Sequence, residues 1–130
     1  RLPGVAGKKI LVVDDKGANV TLLKAVLESV GTVDAAADGS EALSLVRKGY
    51  YSAIVTDVDM PRINGIEFYR MAVEHLPDLR DRFIFFTASA DEDKITFFRK
   101  NNVRYLRKPS PISDIRKTVR EIALRHGKTA

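Results

Sequence analysis

The sequence predicts an α/β fold, a doubly wound domain in which five parallel strands alternate with five helices. Short apolar runs recur along the chain, and stretches with the 3.6-residue spacing of amphipathic helices separate them. Strands that are apolar on both faces are typical of a parallel sheet covered by helices on both sides. A length of 130 residues suits one such domain with a sizeable core.

The predicted strands are short apolar segments. Three are uninterrupted runs, at residues 10–13, 53–56 and 83–86. Two are weaker, at residues 32–35 and 103–106, because charged residues interrupt them. Right-handed crossovers between consecutive strands give an open sheet, for which we expect the flavodoxin-like strand order 2-1-3-4-5.

The predicted helices lie between and after these strands. Residues 64–75 and 91–101 have helix-like lengths and start signals, with the acids Asp91-Glu92-Asp93 opening the second of them. Apolar stripes mark the other three helices. These stripes are Leu23, Val26, Leu27 and Val30 in the first, Ala42, Leu45 and Val46 in the second, and Ile115, Val119 and Ile122 in the last.

The sequence also indicates the limits of the domain and excludes several kinds of chemistry. We expect the folded domain at residues 8–126, with residues 1–7 as a linker and residues 127–130 as a fraying tail. No apolar run approaches the roughly 20 residues of a membrane span, and no signal-peptide pattern opens the chain. The chain has no cysteine, which excludes disulfides, thiolate metal sites and cysteine nucleophiles and favours a cytoplasmic location.

The net charge of +5 is concentrated at one end of the chain. Residues 101–130 hold eight Lys and Arg against two Asp and Glu, whereas residues 1–100 hold fourteen against fifteen. Such a cluster can attract nucleic acid or form a solvated helix face. No helix-turn-helix, basic arm or aromatic interleaving accompanies it. We therefore expect Arg116, Lys117 and Arg120 to face solvent and to dock a protein surface, without direct nucleic-acid binding.

Polar side chains stand at the carboxyl ends of four predicted strands. Asp14 and Asp15 follow the first strand, Asp57 the third, Thr87 the fourth and Lys108 the fifth. In a doubly wound sheet, the functional site lies at this edge. Converging carboxylates repel one another, and either a proton or a cation relieves the repulsion. The alternative, that each acid is only a helix cap or turn residue, suits a lone aspartate better than this set.

The donor set also indicates which cation fits. All the candidate ligands are oxygen atoms, with neither histidine nor cysteine among them, which selects a hard cation. An incomplete cage that leaves room for water and phosphate suits Mg²⁺. The sequence therefore predicts a Mg²⁺ site at this edge.

The motifs around these residues resemble those of response-regulator receiver domains. The string KILVVDD at residues 9–15 resembles the opening strand of that family. TDVDMP at 56–61, followed by NGIE at 64–67, resembles its phosphoacceptor strand and the helix start behind it. FFTA at 85–88 and YLRKP at 105–109 resemble its last two signatures, and all five motifs stand in the order of the family.

The resemblance implies a two-component phosphorelay chemistry. Asp57 takes the phosphoryl group from a phosphohistidine of a histidine kinase or phosphotransfer protein and becomes an aspartyl phosphate. Mg²⁺ is held directly by Asp15, Asp57 and the backbone carbonyl of Asp59, and by Asp14 largely through water. Lys108 pairs with the phosphate as a point charge.

The resemblance also implies a switch. Thr87 turns its hydroxyl to the phosphoryl group, and Tyr105 rotates inward behind it. The face formed by the fourth helix, the fifth strand and the fifth helix then signals to an effector domain or a second receiver. Asp59 tunes the lifetime of the phosphorylated state, and the small side chain of Ala88 leaves the phosphate approachable.

Three local features bear on this resemblance. The cation Lys16, directly after the acidic pair, departs from the family pattern and is expected to weaken metal binding slightly. The turn before the fifth strand contains Asn101-Asn102, where asparagine can take the left-handed conformation that glycine supplies elsewhere. The resemblance implies a cis peptide bond at Lys108-Pro109.

Two rival readings come from other classes of protein. The D-x-D string at Asp57-Val58-Asp59 also fits haloacid-dehalogenase-like phosphohydrolases, but those place it on the first strand and need a longer chain. An unphosphorylated, receiver-like interaction module would normally lack one of the acids, the threonine or the lysine, and this chain keeps all of them. We therefore expect a receiver that catalyses only its own phosphorylation and dephosphorylation. It could stand alone or belong to a hybrid kinase or a longer regulator.

Overall fold

The computed structural model describes residues 7–126. The predicted tail and all but the last residue of the predicted linker lie outside this range. The strands are β1 (Lys9–Val13), β2 (Thr32–Ala36), β3 (Ala53–Thr56), β4 (Phe83–Thr87) and β5 (Arg104–Arg107). The α-helices are α1 (Gly17–Leu27), α2 (Gly39–Lys48), α3 (Gly65–His75), α4 (Glu92–Lys100) and α5 (Ile112–Arg125), and a 3₁₀ turn spans Pro77–Arg82.

The five strands form one parallel sheet in the order β2-β1-β3-β4-β5, which confirms the predicted fold and strand order. Val13, the last residue of β1, is in register with Ala36 of β2 and with Thr56 of β3. The ends of these strands therefore lie level at one edge. The chain leaves β1 toward β2 and returns to β3 on its other side, so a crevice opens between β1 and β3 at that edge.

Alternate side chains of the sheet enter two separate hydrophobic cores. On one side, Ile10 and Val12 of β1 pack with residues of α1 and α5. On the other side, Leu11 and Val13 pack with residues of α2, α3 and α4. All four of these β1 side chains are buried, as expected for a strand covered on both faces.

The predicted apolar stripes differ from the structure at two positions. Val30 is fully buried, but α1 ends at Leu27, and the amides of Val30 and Gly31 both donate to the Leu27 carbonyl in the turn that follows. In α2, Ala42 and Val46 are buried as predicted, but Leu43 is buried as well and Leu45 is only partly buried. Leu45 still packs against the core, so a wider face of α2 is covered than the stripe indicated.

Two basic side chains of α5 are less exposed than the sequence predicted. Lys117 is exposed, but Arg116 and Arg120 are only partly exposed. The Nε atom of Arg116 donates to the carbonyl oxygen of Val26 in α1 at 3.2 Å. The prediction that all three cations face solvent therefore holds in full only for Lys117, because Arg116 lies against α1 and Arg120 is partly covered. Within residues 7–126, no helix has both the length and the apolar character that crossing a membrane requires.

Candidate functional site

Three carboxylates meet at the crevice between β1 and β3. Asp14 and Asp15 follow β1, Asp57 follows β3, and each offers an oxygen atom within 4.8 Å of the others. Asp14 and Asp57 are buried, with 2% and 6% of their surface exposed, while Asp15 is exposed. The structure thus brings together the three acids that the sequence singled out as a metal site.

The backbone of the sheet holds two of these acids in place. The Asp57 amide donates to the Val13 carbonyl at 2.9 Å, and the Asp14 amide donates to the Ala36 carbonyl at 3.1 Å. The ladder of the sheet therefore continues one residue past the ends of β3 and β1. The Oδ1 atom of Asp57 also accepts a 2.8 Å hydrogen bond from the Val58 amide, which orients its carboxylate.

Gly65 lets helix α3 begin directly against the loop that carries Asp57. A Cβ atom at Gly65 would lie 2.9 Å from the carbonyl carbon of Asp57 and would overlap its carbonyl oxygen. The Gly65 amide donates to the Val58 carbonyl at 2.8 Å. Asn64 caps the helix in a reciprocal capping box with Glu67. The Asn64-Gly65 pair is thus a helix start, as predicted, and its glycine is needed for close approach to the site.

Lys108 is the cation inside the acidic cluster. Its Nζ atom lies 2.8 Å from Oδ2 of Asp14 and 3.4 Å from Oδ2 of Asp57, and its side chain is 15% exposed. The ammonium group also lies over the Phe86 ring, 5.4 Å from the centroid. The Lys108 amide donates to the Thr87 carbonyl at 2.9 Å, so the chain just beyond β5 stays fastened to β4. The Lys108-Pro109 bond is cis, as the resemblance implied.

Asp14 has more partners than the sequence analysis identified. Its Oδ1 atom accepts from the Lys16 amide at 2.9 Å, and its Oδ2 atom accepts from the Asn19 side chain at 3.2 Å. Asn19, in the first turn of α1, was not singled out. Its position soon after the acidic pair was the only available signal. Lys16 places its Nζ atom 3.7 Å from Oδ1 of Asp15, where it competes with any cation for that carboxylate.

The pKa of Asp57 is raised above that of an ordinary aspartate. Burial is the main cause, and the neighbouring Asp14 carboxylate adds to it, while the Lys108 ammonium opposes the shift. Two buried carboxylates thus share one ammonium group. An added cation would relieve the remaining repulsion, and the all-oxygen donor set suits a hard divalent ion.

The predicted switch residues lie on the two strands next to the site. Thr87 is fully buried at the end of β4, and its hydroxyl accepts from the Ser89 amide at 3.1 Å and lies 3.3 Å from the Ser89 carbonyl. Tyr105 of β5 is partly buried and stacks on Phe98 of α4, with ring centroids 4.8 Å apart. In this structure the Thr87 hydroxyl is therefore engaged by the backbone beyond β4.

Two predicted tuning residues lie at the rim of the site. Ala88 is exposed, and the Asp59 side chain is 59% exposed. The Nζ atom of Lys94, in the first turn of α4, lies 3.8 Å from Oδ1 of Asp59. Lys94 was not singled out in the sequence, although a lysine directly after the three acids that open α4 runs against the helix dipole.

Comparison with known proteins shows which family the chain resembles in sequence. The model of the response regulator receiver domain family matches residues 10–120 of the chain. The virulence sensor protein BvgS of Bordetella bronchiseptica is 37% identical over 124 residues, which cover 90% of this chain and 10% of that protein. The alkaline phosphatase synthesis transcriptional regulatory protein PhoP of Bacillus subtilis is 35% identical over 120 residues, covering 91% of this chain and 49% of that protein.

Solved structures show the same fold. A CheY-like response regulator receiver domain protein from Methanospirillum hungatei matches with a TM-score of 0.83 at 25% identity, covering 92% of this chain and 95% of that one. The chemotaxis protein CheY4 of Vibrio cholerae matches with a TM-score of 0.79 at 25% identity, covering 88% of this chain and 98% of that one.

The chain belongs to the response regulator receiver domain family of two-component signalling. It spans about a tenth of the length of the sensor BvgS and about half of the regulator PhoP. The recognition made from the five sequence motifs is confirmed.

Proposed function

We propose that this domain is a phosphoacceptor, in which Asp57 takes a phosphoryl group from the phosphohistidine of a histidine kinase or phosphotransfer protein. The observation that carries the proposal is the meeting of Asp14, Asp15 and Asp57 with Lys108 at one sheet edge. A purely structural set of acids would gain nothing from this arrangement, in which burial, and after it the nearby Asp14 carboxylate, raises the pKa of Asp57. Perturbed acids held in a crevice are typical of functional sites.

In the proposed reaction, a carboxylate oxygen of Asp57 attacks the phosphorus atom, the phosphorus–nitrogen bond breaks and the imidazole leaves. Oδ1 is occupied by the Val58 amide, whereas Oδ2 faces Lys108 at 3.4 Å. We therefore assign Oδ2 as the nucleophile. Lys108 then stands beside the new phosphoryl group and binds one of its oxygen atoms, which carry the charge that develops during transfer.

The residues present fit a bound Mg²⁺ ion. Asp14, Asp15 and Asp57 offer carboxylate oxygens. We propose that Asp15, Asp57 and the backbone carbonyl of Asp59 would bind the ion directly, and that Asp14 would do so largely through water. When bound, Mg²⁺ supplies positive charge that neutralises the phosphoryl oxygens. Asp15, the most accessible of the three acids, is the carboxylate most readily redirected to the ion, although its pairing with Lys16 has to loosen.

Phosphorylation is proposed to signal through Thr87 and Tyr105. Thr87 would release the Ser89 backbone and turn to the phosphoryl group, and Tyr105 would move in behind it. These residues sit on β4 and β5, so the change reshapes the face made of α4, β5 and α5. Moving a conformational equilibrium from 1:99 to 99:1 requires about 5.5 kcal/mol, so phosphorylation that supplies less shifts the populations only partway.

The partners follow from this chemistry. A histidine kinase or phosphotransfer protein donates the phosphoryl group, and an effector domain or second receiver docks on the α4–β5–α5 face. The relatives include both a sensor protein and a transcriptional regulatory protein, which supports partners of both kinds. The domain would catalyse only its own phosphorylation and dephosphorylation, at a rate tuned by Asp59 and Ala88.

Titration with Mg²⁺ and then with beryllofluoride, a phosphoryl mimic, tests the metal site and the switch together by amide NMR. We expect Mg²⁺ to shift amides next to the three acids, and beryllofluoride to extend the shifts to residues 91–120. Asp15→Ala should weaken Mg²⁺ binding at least about tenfold, equal to about 1.4 kcal/mol. The control Asp114→Ala removes an exposed acid of α5 and should leave the affinity unchanged. Wild-type Mg²⁺ affinity in Asp15→Ala would contradict the site.

A further inference from the structure

Lys94 occupies a position that local rules disfavour. It is the third residue of α4, and the helix dipole opposes a cation in the first turn. Only 18% of its side chain is exposed, unlike most lysines, which extend into water. A residue that breaks a local rule in this way usually serves a contact elsewhere.

Its contacts join the two loops that border the candidate site. The Nζ atom donates to Oγ of Ser89 at 2.7 Å and to Oδ2 of Asp91 at 3.2 Å, both in the loop between β4 and α4. The same atom lies 3.8 Å from Oδ1 of Asp59, in the loop between β3 and α3. Lys94 thus links the loop that follows Asp57 to the loop that follows Thr87.

The Ser89 contact leads directly to Thr87. The Ser89 amide donates to the Thr87 hydroxyl oxygen at 3.1 Å, and the Thr87 hydroxyl donates to the Ser89 carbonyl oxygen at 3.3 Å. Both hydrogen bonds must break before the Thr87 hydroxyl can turn to a phosphoryl group on Asp57. Whatever holds Ser89 in place therefore also holds Thr87 in its present orientation.

We propose that Lys94 is a positioning residue that fastens Ser89 and thereby holds the Thr87 hydroxyl away from Asp57 until phosphorylation. The inference rests on the proposed function and adds to it a residue that sets the balance between the two states. The Ser89 contact is the stronger part, because it is short, partly buried and charge-assisted. The contact with Asp59 is longer and mostly exposed, so water screens it.

The proposal makes a prediction opposite to that of simple electrostatics. If Lys94 acted only as a positive charge near the site, removing it would weaken the binding of an anion such as beryllofluoride. If Lys94 holds the unswitched state, removing it raises the population of the binding-competent state, and the apparent affinity rises in proportion. The sign of the change therefore distinguishes the two roles.

The test is the apparent affinity for beryllofluoride with saturating Mg²⁺, followed by amide NMR in three variants. Lys94→Met keeps the length of the side chain and removes its charge, and we expect binding about tenfold tighter, which corresponds to about 1.4 kcal/mol. Ser89→Ala removes the Oγ contact without changing any charge, and should tighten binding in the same direction. Lys100→Met, an exposed lysine at the other end of α4, is the matched control and should bind as wild type does.

Unchanged or weaker binding by Lys94→Met, with a normal response of the wild type, would overturn the role of Lys94 and leave the proposed function standing. Unchanged binding by Ser89→Ala would overturn the route through Ser89. A wild-type domain that shows no response to beryllofluoride would instead contradict the proposed function, and the role of Lys94 would fall with it.

Discussion

The ammonium group of Lys108 lies 2.8 Å from Oδ2 of Asp14, closer than to the carboxylate of Asp57. Asp14 is almost fully buried, so this ion pair compensates a charge that water does not reach. Lys108 therefore stabilises the fold of the unphosphorylated domain, in addition to the phosphate contact proposed for it.

Replacing Lys108 by methionine should destabilise the domain. The change leaves two buried carboxylates without their shared cation, and we expect a loss of about 3 kcal/mol in the free energy of unfolding. Because Mg²⁺ binds the folded state, millimolar Mg²⁺ should recover part of that loss. Urea unfolding with and without Mg²⁺ measures both effects, with the exposed Lys117→Met as control. Equal stability of Lys108→Met and wild type without Mg²⁺ would show that Lys108 does not stabilise the buried carboxylates.

Replacing Asp57 by asparagine should stabilise the domain in a pH-dependent way. The pKa of Asp57 is raised in the folded state, chiefly by burial, so ionising this group costs folding free energy. That cost is absent below the unfolded pKa of about 3.9 and grows as pH rises through the folded value. The stability advantage of Asp57→Asn should therefore be present at pH 7 and shrink as pH falls toward 4. Thermal unfolding across this range without metal checks the sign, and an advantage that grew on acidification would refute it.

Replacing Gly65 by alanine should disrupt the loop that carries Asp57. The new Cβ atom would overlap the Asp57 carbonyl, and because that neighbour is backbone, the loop or α3 must move. We expect a loss of about 3 kcal/mol, together with weaker Mg²⁺ binding. Gly17→Ala, at the first residue of α1, is the control, because its Cβ atom meets nothing within 4 Å. Similar melting temperatures for the two variants would disprove the close approach.

The α5 helix provides a test against nucleic-acid binding. Arg116 is tied to α1 and Arg120 is only partly exposed, so fewer cations reach solvent than the sequence indicated. We expect only weak, salt-sensitive and non-specific binding to duplex DNA. Fluorescence anisotropy at about 0.15 M salt measures it, and sequence-dependent binding below about 1 µM would contradict the assignment of this surface to a protein partner.

Most of the fold could be predicted because its signals are local. Three strands are uninterrupted apolar runs, and the bounds of all five agree with the predicted ones to within one residue. The 3₁₀ turn at Pro77–Arg82 was missed, since it has neither a helical apolar stripe nor a strand pattern. The apolar stripe of α1 included Val30 because Val30 continues the helical spacing and is buried, but apolar spacing does not mark where a helix ends.

The acids and the lysine of the site could also be predicted, because parallel strands bring their carboxyl ends to one edge. The hydrogen-bond partners could not. Ser89 and Lys94 act through side-chain geometry across a loop, and neither residue type is unusual there when seen alone. The close approach of Gly65 to Asp57 could not be predicted either, because it depends on the tertiary position of α3. Gly65 does not have the positive φ angle that is the usual reason for a glycine.

Covalent modification by a small phosphoryl donor tests directly whether Asp57 is the phosphoacceptor. The domain is incubated with acetyl phosphate and Mg²⁺, the Asp57 carboxylate takes the phosphoryl group and acetate leaves. Intact-mass spectrometry should show the gain of one phosphoryl group in the wild type, and peptide mapping after borohydride reduction should place it at Asp57. The gain should be absent in Asp57→Asn and retained in Asp34→Asn, which alters an acid of β2 outside the site. Labelling of Asp57→Asn to the wild-type extent would contradict the assignment of Asp57 as the phosphoacceptor.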